Sequence, residues 1–117
     1  MDKHRKYDLV VPRAARQFVQ GILSEDPDEA SDCLAQSREG LLRALGLRGA
    51  IAEVDGQSYV RRALLGEVGD EILNAARRQL FEVVFPRCDP ELRGDIADAF
   101  DRMQQQFHTG LTLPVIH

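Results

Sequence analysis

Asp55-Gly56 constrains the fold of this chain more than any other pair of residues. It stands between two short runs that favour strand, residues 50–54 and 58–62. A two-residue type I′ turn needs positive φ at both central positions, and Asp followed by Gly reaches that geometry at least cost. Helical patterns flank the pair on both sides. The expectation is a mainly α fold: four or five helices around one core, an inserted β-hairpin at about residues 50–62, and room for short terminal strands.

The helices follow from apolar spacing and from caps. Residues 7–11 are short, apolar and end at Pro12, which disfavours helix for the residue before it and suits a first helical turn. A first helix is therefore placed at residues 12–23, with Ala14, Ala15, Phe18, Val19, Ile22 and Leu23 on one face. Asp26 and Pro27 supply a cap and a first turn for a second helix, with acids at the positive end of its dipole. Its period runs to Gly46, and residues 37–40 leave open whether this is one helix or two.

After the hairpin comes the longest pattern, residues 63–84, closed by Pro86. Leu65, Val68, Ile72, Ala76, Leu80 and Val83 form its main stripe, and Leu64, Leu73, Phe81 and Val84 widen it. Gly66 and Gly69 either delay its start to Glu67 or admit another backbone. Asp89-Pro90 opens a last helix along Leu92, Ile96, Ala99, Phe100, Met103 and Phe107, ended by His108 and Gly110. The tail at residues 111–116 reads as an extended edge segment, because Pro114 cannot donate a ladder hydrogen bond. It has two candidate partners, residues 7–11 and the hairpin.

At 117 residues, with 44% hydrophobic and 29% charged side chains, the chain reads as a single globular domain over residues 1–117. No apolar run approaches the roughly 20 residues of a membrane span. No apolar segment follows the basic start before Pro12, so an export signal is not expected. Cys33 and Cys88 sit in no metal-like or redox-like spacing, and Cys33 falls on an apolar helix side as a buried thiol. These readings place the protein in the cytoplasm, with no membrane partner.

The net charge of −4 does not favour nucleic acid, but it is unevenly spread. Residues 1–24 carry Lys3, Arg5, Lys6, Arg13 and Arg16 against Asp2 and Asp8, whereas residues 25–36 carry five acids and no base. A local basic face is compatible with that distribution.

The chain contains no phosphate-binding loop, no dinucleotide fingerprint, no nucleophile elbow and no zinc-protease motif. His4, His108 and His117 have no ligand partner at helical spacing and read as solvent-facing or capping groups. Glu91, Asp95, Asp98 and Arg102 read as a solvated helix face, and the acids at 26–32 as a capped helix start. Nothing implies a catalytic residue, a metal or a cofactor.

What remains points to a small, regulatory protein-binding module: an adaptor, inhibitor, chaperone or assembly factor. Its docking residues would be Leu64, Leu73, Phe81 and Val84 on the long helix and Leu111, Leu113, Val115 and Ile116 in the tail. A homodimer through the same surfaces is the expected assembly. The alternative is a winged helix-turn-helix DNA-binding regulator, with a short recognition helix at 37–45 and the hairpin as wing. In it, Arg38 and Arg43 face the major groove while Arg48, Arg61 and Arg62 hold phosphates. A metal-dependent enzyme is the distant third.

Overall fold

Asp55 at φ 52° and Gly56 at φ 78° form the expected turn in a computed structural model that describes residues 3–109 and 113–116. The turn joins β1 (Ile51–Val54) to β2 (Gln57–Arg61) as an antiparallel pair, with Val54 opposite Gln57 and Ile51 opposite Val60. A third strand, β3 (Val115–Ile116), lies parallel to β2 on its other side. Pro114 fits there because its carbonyl accepts from the Val60 amide at 2.9 Å, so its missing N–H costs nothing. The tail therefore pairs with the hairpin and not with residues 7–11.

The helices are α1 (Lys3–Leu23), α2 (Pro27–Leu47), α3 (Arg62–Gln79) and α4 (Pro90–Thr109), which pack on one another around the core. A π turn (Leu80–Val84) and a 3-10 turn (Phe85–Arg87) extend α3 towards α4. Among the described residues the fold is mainly α, with four α-helices and a small three-stranded sheet.

Residues 7–11 are helical, contrary to expectation, and Pro12 lies inside α1. Continuing the helix through proline forfeits one backbone hydrogen bond. The compensation is tertiary: Tyr7 becomes a buried member of the core, on the helical stripe that continues through Ala14, Ala15 and Phe18. Its hydroxyl reaches Glu71 on α3.

α2 starts as the sequence implies, with the Asp26 carboxylate accepting from the Asp28 amide at 3.0 Å and Pro27 in the first turn. It is one continuous helix of 21 residues. Gly40 does not break it; it lets α1 come close, because a Cβ at Gly40 would sit 2.7 Å from that of Ala14. One turn away, the buried Ser37 hydroxyl donates to the Ala14 carbonyl at 2.9 Å.

Phe18 stands at the centre of the core. It meets Phe100 edge to face at 5.2 Å and Phe107 at 5.5 Å, which anchors α4 across the α1–α2 hairpin. α3 begins at Arg62, not at Glu67, and Gly66 faces open space with no neighbour within 4 Å. Leu41, Leu45, Val60, Val68 and Ile72 complete the centre.

Candidate protein-binding surface

From Leu65 to Leu80 the inward stripe of α3 holds as the sequence predicts. Beyond Leu80 it slips by one residue. The π turn carries about one residue more than an α turn, so the next inward position is Val84 and not Val83. Val83 is 53% exposed, against the expectation that placed it in the core.

The same slip presents an aromatic pair. Phe85 is half-buried and packs on the core, and the Phe81 ring meets it edge to face with centroids 5.1 Å apart. Phe81 itself remains 63% exposed. The opening turn of α4 is held close by, since the Arg93 guanidinium donates to the Phe85 carbonyl at 2.9 Å. Leu92, next to that arginine, is 52% exposed.

The other expected docking residues are mostly used within the monomer. Leu73 is 2% exposed and lies in the core, so it offers no surface. Leu64 and Val84 are half-buried against the core, as are Leu113 and Val115 from the tail. Ile116 is half-buried in β3, and Leu111 lies outside the described residues. The exposure of Leu92 and the half-buried Phe85 that supports Phe81 were missed, although the apolar excess around Phe81 was visible in the sequence.

The arginines of the winged-helix alternative do not form one face. Residues 37–45 are the second half of α2, so no turn precedes a separate recognition helix. Arg38 reaches α4, where its Nη2 donates to the Gln106 carbonyl at 2.6 Å. Arg43 is five residues further on, about 140° around the helix. Arg48 caps the far end of α2 and pairs with Glu67 at 3.0 Å and Glu71 at 3.5 Å. Arg61 and Arg62 are exposed where β2 runs into α3.

Arg48 also lies over the Tyr7 ring, 5.4 Å from its centroid, which closes a cluster of Tyr7, Arg48, Glu67 and Glu71. Burial, then the hydrogen bond and negative charge of Glu71, push the Tyr7 phenol up to about 12. Donating a hydrogen bond to the Glu67 carboxylate raises Arg48 further above its ordinary value. This cluster ties the start of α1 and the end of α2 to α3.

Burial, with Glu29 and Asp32 nearby, raises the Cys33 thiol, which suits an inert core cysteine. Glu91, Asp95, Asp98 and Arg102 are all exposed on α4. His117 and the side chains of His4 and His108 lie outside the described residues. Among the described residues, no three His, Cys, Asp or Glu side chains gather as a metal site, and no helix is long and apolar enough to cross a membrane. Comparison with protein-family models, with curated proteins and with solved structures finds no match.

Proposed function

We propose that this protein is a small binding module, of the adaptor, inhibitor, chaperone or assembly-factor kind, that docks another protein on the Phe81–Phe85 surface. The observation that carries this reading is the exposure of Phe81 beside an anchored Phe85. Burying a phenylalanine fully is worth about 1.5–3 kcal/mol, a stabilisation that the monomer forgoes at Phe81. A ring held in place by a neighbour also loses little freedom on binding, which suits an aromatic anchor.

A photo-reactive phenylalanine analogue at position 81 tests the proposal in cells that make the protein. The expected result is a discrete protein adduct. The recovered partner should then bind the wild-type chain and bind Phe81→Ser about tenfold more weakly or worse. That substitution leaves the core untouched. Failure to form any adduct, or equal affinity for the two chains, would overturn the proposal.

A further inference from the structure

A groove of about 1330 Å³ runs along the open side of the α1–α2 hairpin, opposite the side that α3 and α4 cover. Ala14 and Gly40 form its floor, and Leu9, 66% exposed, stands on its lip. Its charged lining is Lys6, Arg13, Arg16 and Arg43 against Asp8 and Glu39, an excess of two positive charges. The groove occupies only the half of the hairpin that lies away from the α1–α2 connection.

Further along the same face the sign reverses. Helical spacing puts Glu29, Asp32, Gln36, Arg43 and Leu47 within about 60° of one another on α2. Lys6, Leu9, Arg13, Gln17 and Gln20 share the matching stripe of α1. One continuous face is thus basic at its open end, neutral at Gln17, Gln20 and Gln36, and acidic at Glu29 and Asp32. Glu25, in the connection, extends the acidic end, and all three acids are exposed.

We infer that this face is a two-fold interface between two copies of the chain, the basic groove of each taking the acidic helix start of the other. A two-fold axis through the neutral middle brings a position on one copy against the position equally far on the other side of the centre. Arg43 and Glu29 each lie seven residues from Gln36, about 10 Å along the helix, so Arg43 of one copy meets Glu29 of the other. Arg13, level with the contact of Ala14 on Gly40 and so about four residues from the centre, comes to the level of Asp32 of the other copy, one helix across. The face is self-complementary in charge and carries no large positive or negative excess once paired.

The area available sets the strength. Two helices about 30 Å long, each about 10 Å wide, cover roughly 600 Å² per copy. That lies at the lower end of stable interfaces. The dimer is therefore weak, reversible and sensitive to salt, because its pairs are exposed until the copies meet. This surface is separate from Phe81 and stands whether or not that ring takes a partner.

Sedimentation and light scattering of the full chain at low and high salt, with three sets of variants, test the inference. The wild type should dimerise at low salt and dissociate as salt rises. Arg13→Glu with Arg43→Glu should weaken self-association about tenfold or more, and so should Glu29→Lys with Asp32→Lys. An equimolar mixture of the two reversed chains should recover a dimer, which also shows that both fold. Phe81→Ser should dimerise as the wild type does. The inference is overturned by a wild type that stays monomeric at low salt, by a dimer indifferent to both reversals, or by a mixture that remains monomeric. A dimer lost in Phe81→Ser alone would likewise overturn it and move the contact to the aromatic surface. So would a groove that binds duplex DNA while the chain stays monomeric.

Discussion

A Cβ built on Gly40 would lie 2.7 Å from the Cβ of Ala14, closer than two such atoms ever sit. The two helices therefore cross at a distance that only a hydrogen at position 40 permits. The Ser37 hydroxyl, bonded to the Ala14 carbonyl, fixes the same crossing from the next turn.

Two glycine-to-alanine changes should have opposite signs. Gly40→Ala gains about 1 kcal/mol of helix propensity but overpacks the crossing by about 1–3 kcal/mol, a net loss. Gly66→Ala gains the same propensity in α3 with no neighbour within 4 Å to displace. Urea midpoints should fall for the first and rise for the second. If both rise, the close crossing is absent.

The Tyr7 phenol gives an alkaline signature. Its folded value of about 12 lies above the ordinary 10.0, so between these values the folded chain keeps a proton that the unfolded chain releases. Its contribution is complete below pH 10 and is lost as pH rises towards 12. Melting temperature in a Tyr59→Phe background should drop across that window. Adding Tyr7→Phe should remove this part of the slope; an unchanged slope would show that Tyr7 is not its source.

At the hairpin, Gly56→Val should destabilise the fold by about 1 kcal/mol or more, because a β-branched residue resists the φ of 78°. Asp55→Asn should be nearly neutral, since Asn tolerates positive φ almost as readily. Chemical denaturation reads both. A Gly56→Val chain as stable as the wild type would rule out the type I′ turn.

Arg77 fastens α4 to α3 with one guanidinium. It donates to Asn74 and to Gln104, each at 2.7 Å, and stacks over Phe100 at 5.0 Å. A lysine cannot reproduce that planar fork, so Arg77→Lys should cost about 1–2 kcal/mol. Amide exchange should quicken first in α4. Uniform loss of protection across all four helices would contradict this local role.

The features legible in the sequence are those whose cause lies within a few residues. Asp55-Gly56 dictates its own φ angles, and Asp26-Pro27 and Asp89-Pro90 mark helix starts through neighbours one to three positions away. Pro12 misled because its local veto was outweighed by Tyr7 packing on α3, a partner 64 residues distant. Gly40 carried no sign of its role, which depends on which helix crosses it. Arg38 and Arg48 resembled free cations for the same reason: Gln106 and Glu67 reach them only through the fold. The aromatic surface was half legible. The apolar excess around Phe81 was plain, but Leu73 belongs to the core, Phe85 packs half-buried against it, and Leu92 is exposed. Periodicity assumed an unbroken α-helix there, and the π turn shifts everything after Leu80.

That turn makes the aromatic surface a matter of counting along the chain. Removing one residue from the turn would restore ordinary α-helical bonding and leave the residues beyond it in nearly the same place, because the π turn makes its revolution with about one residue more than an α turn. Only the side chains within the turn would be reassigned between the inward and outward faces, although no side chain from Tyr7 to Leu80 had been touched. A single-codon insertion or deletion there can change which side chains face outward after Leu80, while the stripe from Leu65 to Leu80 stays as it is.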